Sequence, residues 1–158
     1  MEQKNFEIEL KDKTKIKNFL EKNSQIFSEF FKIYFIEHIL YIKIIKLKNE
    51  NFLIECKFNL NYNFTNFLNI IHGGSIAILF ENLSNFFLFY ITNNKYKTID
   101  INLTYKCPLK IDKNYNLKME IEKIKFKSVF INCLIYDDKQ NKYTTSIIIK
   151  EVIPKLKL

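Results

Sequence analysis

The chain has 158 residues, enough for one domain with a substantial core, and its 47% hydrophobic and 16% aromatic residues exclude an intrinsically disordered protein. Its net charge of +8 comes entirely from lysine, because the sequence contains no Arg. Sequence-specific nucleic-acid recognition leans on the bidentate reach of arginine, so that class is set aside, while a phosphate-bearing ligand stays open.

A composition rich in Lys, Asn, Ile and Phe is what an AT-rich genome produces, so lysine clusters alone carry little weight as signs of a partner. Three cysteines, Cys56, Cys107 and Cys133, are odd in number and far apart. That argues against a disulfide framework and against a zinc cluster, and it suits a reducing compartment. The segment from Met1 to Leu10 is acidic and lacks the apolar core of a signal peptide. An intracellular, cytoplasmic location is therefore expected, with an organelle (mitochondrion or plastid) left open.

In chain order, the first dozen residues alternate charge and apolarity without a clear reading. From Thr14 to Phe31 the apolar positions Ile16, Phe19, Leu20, Ile26, Phe27 and Phe30 recur at helical steps and predict one amphipathic helix. Tyr34 to Leu47 and Phe52 to Leu60 read as strands, joined at the turn Lys48-Asn49-Glu50-Asn51 into a hairpin. Asn61 to Ile71 is Asn-rich without a steady period and reads as a loop. It leads into His72-Gly73-Gly74, which holds the only two glycines of the chain.

A helix follows, from Gly74 to Thr92, closed by Asn93-Asn94-Lys95. It is apolar on almost every side, so it must be buried, and it reads as too short and too interrupted to span a membrane. Its one charge is Glu81, and burying a carboxylate is costly enough to need a reason. Four more strands are expected at Thr98 to Tyr105, Tyr115 to Lys125, Ser128 to Tyr136 and Tyr143 to Ile153. The order implies an α+β fold: an antiparallel sheet of about six strands curled around one long central helix, with a helical N-terminal extension.

These residues resemble a known family. His72-Gly73-Gly74, the acid Glu81 seven residues after the second glycine, Asn66 six residues before the histidine, and the strand motif Asp100-x-Asn102-x-Thr104-Tyr105-x-x-Pro108 look like the hotdog-fold acyl-CoA thioesterases. The likeness is to the PaaI-like branch, near the acyl-CoA thioesterase 13 (Them2) group. It implies an N-terminal extension over residues 1–33 and a hotdog thioesterase domain over 34–158. It also implies hydrolysis of a fatty (medium- to long-chain) or aryl acyl-CoA to the free acid and CoA, with no cofactor beyond the CoA of substrate and product.

By the same resemblance, Glu81 is the catalytic carboxylate, as general base or nucleophile, and the Gly73 backbone N–H is the oxyanion donor. Physics supports the latter, since a helix N-terminus presents free N–H groups and partial positive charge, and one preorganised donor is worth about 3 kcal/mol. Asn66 and Thr98 would orient water or carbonyl, and His72 and Gly74 would be structural. Tyr105, Lys106 and Cys107, with Lys123, Lys125, Lys127 and Ser128, would meet the CoA moiety. The family builds its site across a homodimer, within a homotetramer.

The chain departs from the family in three places: Glu81 where many relatives have Asp, no glycine in Ile124-Lys125-Phe126, and Asn69 where Gly often precedes the histidine. Rival readings remain open at this stage. Glu81 could be a structural carboxylate paired with a lysine. The chain could bind acyl-CoA or acyl carrier protein without catalysis. It could be a hotdog dehydratase, although such enzymes arrange their His and acid differently.

Overall fold

Ile-, Tyr- and Phe-rich runs with period-two alternation make strands here, and the sheet they form is set by which row of each strand is apolar. The computed structural model of the protein describes residues 7–22, 24–47, 51–122 and 127–154. Seven strands lie in one antiparallel sheet: β1 (Glu7–Leu10), β2 (Ile39–Lys46), β3 (Phe52–Asn59), β4 (Tyr96–Tyr105), β5 (Asn114–Ile121), β6 (Ser128–Tyr136) and β7 (Lys142–Val152). Their order across the sheet is β1-β2-β3-β5-β6-β7-β4. The expected hairpin pairs β2 with β3, and three of its four turn residues, Lys48 to Glu50, lie outside the described residues.

The central helix, α3, runs Gly73–Thr92 and carries the chain from β3 to β4 at the far edge of the sheet. The sheet curls around it. Buried rows such as Ile54, Cys56 and Phe58 on β3 and Ile131, Cys133 and Ile135 on β6 form one core with Leu79, Phe80, Leu83, Phe86 and Phe87 of the helix. The helix ends as expected: Asn93 takes a left-handed φ of 55° and its N–H closes on the Phe89 carbonyl at 2.7 Å. By length and mean hydropathy its 20 residues would suffice to cross a bilayer, so the expectation that it is too short fails. It is the core helix of the sheet, with half of its apolar window buried inside the fold.

The N-terminal part differs from expectation in three ways. The single helix over 14–31 is instead α1 (Lys13–Lys22), a 3-10 turn (Ser24–Ile26) and α2 (Glu29–Tyr34). Ser28 breaks the run by serving as N-cap, its hydroxyl accepting the Phe31 N–H at 3.2 Å, which is the role a short hydroxyl prefers over a helix interior. Residues 34–38, expected as strand, finish α2 and form a second 3-10 turn (Ile36–His38). There Phe27, Phe31 and Phe35 stack at centroid spacings of 4.6 and 5.1 Å, and Phe27 lies 4.9 Å from Phe86 of α3. Finally, Glu7 to Leu10, given no reading from sequence, is β1, paired with β2. The N-terminal segment thus shares the sheet and the core of the rest.

Candidate active site

Glu81 sits mid-way along α3, its side chain 37% exposed, where β4 and β7 pass the helix. Thr98 of β4 and Lys150 of β7 are cross-strand partners and both point inward. The β4–β7 register shifts between Thr98 and Asp100, a bulge that leaves Ile99 on the outside and aims Thr98 at the helix. The Thr98 hydroxyl donates to the Glu81 carboxylate, 2.7 Å from Oε1 and 2.6 Å from Oε2. Asn85, one turn further along α3, donates its Nδ2 to Oε1 at 3.3 Å.

Lys150 is fully buried and uses all three ammonium protons: on Thr98 Oγ1 at 2.7 Å, on Asn85 Oδ1 at 2.9 Å and on Glu81 Oε2 at 3.4 Å. Desolvation pulls its pKa below the ordinary lysine value, and the Glu81 carboxylate opposes that pull. Sequence reading passed over this lysine. The signal was present in strand parity, because Thr144, Ser146, Ile148 and Lys150 alternate on one face of β7 and all are buried. Glu81 is therefore a carboxylate paired with a buried lysine and opening to solvent, not a lone anion in an apolar interior.

On its open side Glu81 borders an apolar hollow of about 440 Å³ lined by Ser28, Ala77, Ile78, Asn82 and Ile101. Ser28 brings the N-terminal segment to this rim, its N–H donating to Asn82 Oδ1 at 2.9 Å.

The second half of the expected site lies at the start of α3. His72 is the N-cap: its Nδ1 accepts the Gly74 N–H at 2.9 Å, which places a neutral ring's proton on Nε2. Ser75 and Ile76 donate to the His72 carbonyl, while the Gly73 N–H has no acceptor among the described residues. Tyr105 packs on Gly73 and donates its hydroxyl to the Gly73 carbonyl at 2.9 Å. A Cβ on Gly73 would come within 2.9 Å of the tip of that ring, so glycine permits the close approach and any side chain there would displace the Tyr105 ring. Partial burial raises the Tyr105 pKa. Gly73, Tyr105, Lys106, Cys107 and Pro108 line one cleft of about 350 Å³ with Ile70, Ile71, Ile76 and Leu109.

Asn66 belongs to the loop before this helix. Its Oδ1 accepts the N–H groups of Leu68 and Ile70 at 2.9 and 3.3 Å, shaping the turn in which Asn69 takes a φ of 57°. Asn thus supports the left-handed position where relatives often have Gly. Lys127 and Ser128 stand at the other end of the sheet from Tyr105, since Ser128 pairs with Glu151, which pairs with Lys97. Lys123 and Lys125 lie outside the described residues. Within one chain the residues therefore fall into two groups: Glu81 and Thr98 with Lys127 and Ser128 beyond them, and Gly73 with Asn66, Tyr105, Lys106 and Cys107.

No protein-family model and no curated protein matches the sequence. Solved structures match the fold. Thioesterase superfamily member 2 from Mus musculus is 20% identical over 87% of this chain and 96% of its own, with a TM-score of 0.66. The zebrafish thioesterase superfamily member 2 is 16% identical over 91% of this chain and 99% of its own, with a TM-score of 0.68. The smu.793 protein of Streptococcus mutans UA159, solved bound to acetyl CoA, is 12% identical over 71% of this chain and 88% of its own, with a TM-score of 0.59. The chain has the hotdog thioesterase fold.

In that hotdog frame, the helix N-terminus and the mid-helix carboxylate are the two places where this chain concentrates polar chemistry on an otherwise apolar helix. Cys56 and Cys133 are buried, and desolvation pushes both thiols far up, so they behave as small apolar residues.

Proposed function

We propose that the protein is an acyl-CoA thioesterase of the PaaI-like branch, hydrolysing a medium- to long-chain fatty or an aryl acyl-CoA to the free acid and CoA. The observation that carries this is the pairing of two polar groups on one apolar helix: a carboxylate fixed by hydrogen bonds and open to an apolar hollow, and a backbone N–H without an acceptor among the described residues. Glu81 and Gly73 are eight residues apart on α3, about 12 Å along the axis, too far to act on one thioester. A homodimer resolves this, with Glu81 of one protomer facing Gly73 of the other, and two such dimers would make the homotetramer.

In this reading the acyl chain enters the hollow beside Ala77 and Ile101. Tyr105, Lys106 and Cys107 meet the CoA moiety at the Gly73 cleft, with Lys127 supplied across the dimer as a point charge for its phosphates and Ser128 beside it as a hydrogen-bond donor. Glu81 removes a proton from water as it attacks the thioester carbon, or attacks directly to form an anhydride that water then opens. The Gly73 N–H stabilises the oxyanion, and the C–S bond breaks to release CoA. Thr98 serves by holding Glu81, since its one proton is given to the carboxylate. Asn66 serves the loop that presents Gly73. No cofactor takes part, and the site of action is intracellular: the cytoplasm, or an organelle.

The test is Glu81→Gln assayed on acetyl-, hexanoyl-, palmitoyl- and phenylacetyl-CoA. A loss of roughly 10²- to 10⁴-fold is expected on the preferred substrate, and unchanged turnover across the panel removes Glu81 from the mechanism. The Lys150–Glu81 ion pair supports a second reading, a hotdog protein that binds acyl-CoA or acyl carrier protein without catalysis. Tight binding with no release of CoA decides for it.

A further inference from the structure

Lys150 is the one fully buried cation among the described residues, and nothing about packing a β-strand requires it. Its position is built rather than incidental. The β4–β7 register sets it opposite Thr98, the bulge after Thr98 turns that side chain inward, and Asn85 supplies a further acceptor from the helix. Three donated hydrogen bonds need the protonated ammonium, because a neutral amine has only two protons to give. Thr98 in turn accepts from Lys150, so its single proton is directed to Glu81.

The charged and titratable groups facing Lys150 are few. From α3 there is Glu81, from β6 there is the Cys133 thiol, which burial keeps neutral, and β4 offers only the uncharged Thr98. Among the described residues Glu81 is thus its only countercharge.

We infer that Lys150 is a positioning residue for Glu81: through Thr98 and Asn85 it fixes the carboxylate's orientation, and it sets a full positive charge 3.4 Å from the carboxylate. The inference rests on the thioesterase reading for its kinetic consequence but not for its geometry. The Lys150, Thr98 and Asn85 donors all approach the carboxylate from the sheet and helix side, and its 37% exposed face borders the apolar hollow, where water and thioester arrive. The buried ammonium also marks this site off from a carboxylate merely capped by hydrogen bonds, because a full countercharge lies 3.4 Å from Oε2.

Two measurements test it. Lys150→Met keeps an unbranched apolar stem and removes the charge. The expected result is kcat lowered by roughly tenfold or more near pH 6, with KM little changed, an acid limb of the pH–rate profile moved to higher pH, and recovery of the limb in Lys150→Arg. Lowered turnover with an unmoved limb, or wild-type turnover, overturns the inference. The second measurement leaves Lys150 in place: its ammonium resonance is followed by NMR against pH in the wild-type chain and in Glu81→Gln. Loss of the countercharge should make Lys150 deprotonate at distinctly lower pH, because desolvation then acts unopposed. Equal midpoints, or a neutral amine at pH 7 in the wild type, overturn the inference even if Lys150→Met fails to fold. Should the wild type hydrolyse no acyl-CoA, the thioesterase reading falls while this titration still decides the role of Lys150.

Discussion

Gly73 illustrates how one missing side chain carries a chemical argument. Its N–H is unspent, its flank is pressed by Tyr105, and it occupies the first helical position after His72. Proline is tolerated at that position, and His72, at φ −64° and ψ 136°, already has the extended conformation that a following proline demands. Gly73→Pro therefore deletes the proposed oxyanion donor without breaking the helix, provided the half-exposed Tyr105 ring swings outward. Turnover of the preferred acyl-CoA should fall by roughly 10²- to 10³-fold with the thermal transition shifted only slightly. A folded Gly73→Pro protein with full turnover would show that the donor lies elsewhere. At this scale the sequence isolates Glu81 as the only charge on an apolar helix, Thr98 was singled out through the family resemblance alone, and the structure sets the two in hydrogen-bond contact. Lys150 was not legible, because in a chain with 25 basic residues a single lysine looks like surface, and only its parity with Ile148 marks it as inward.

Elements were read well where periodicity was long and undivided, as in α3 and in β4 to β7, whose starts and ends fall within a few residues of those expected. They were misread where tertiary contacts outweigh local pattern. β1 has four residues and is a strand only because β2 offers its edge, and the amphipathic run after Thr14 is cut at Ser28 because that hydroxyl caps a new helix. Besides the Phe27–Phe86 stack, the polar tie between the start of α2 and α3 is the Ser28 N–H bond to Asn82, whose own Nδ2 returns to the Ile78 carbonyl at 2.9 Å. Asn82→Leu keeps the branched shape and heavy-atom count of the side chain and removes both. The loss should cost about 1 kcal/mol, or about 2–4 °C in the unfolding transition, and should speed amide exchange across 13–34 while the amides of β5 and β6 stay protected. Uniform exchange changes over the whole chain would show instead that the N-terminal segment and the sheet open as one unit. Because Ser28 and Asn82 also line the hollow beside Glu81, a loosened segment should broaden the range of acyl chains accepted before it lowers the rate on the best one.

At the scale of the whole molecule the proposed site is divided. Along α3 the carboxylate and the N–H are separated by two turns and more, and along the sheet Tyr105 and Ser128 stand at opposite ends, so a single chain offers two incomplete sets of groups. In the proposed two-fold dimer each interface contact would occur twice, which would turn two incomplete sets into two complete sites. That arrangement has a consequence no monomeric site shares. A Glu81→Gln chain keeps its Gly73 donor, and a Gly73→Pro chain keeps its Glu81, so a mixed dimer contains one site with both groups intact and one with neither. Each variant alone should be inactive. Unfolding and refolding them together at equal amounts makes half of the dimers mixed, and activity should return to roughly a quarter of the wild-type value per chain. Refolding the variants separately and combining them afterwards should restore nothing until chains exchange. Activity that stays absent after co-refolding, while size measurements show mixed dimers, would place Glu81 and Gly73 in the same half-site and break the two-chain construction of the centre.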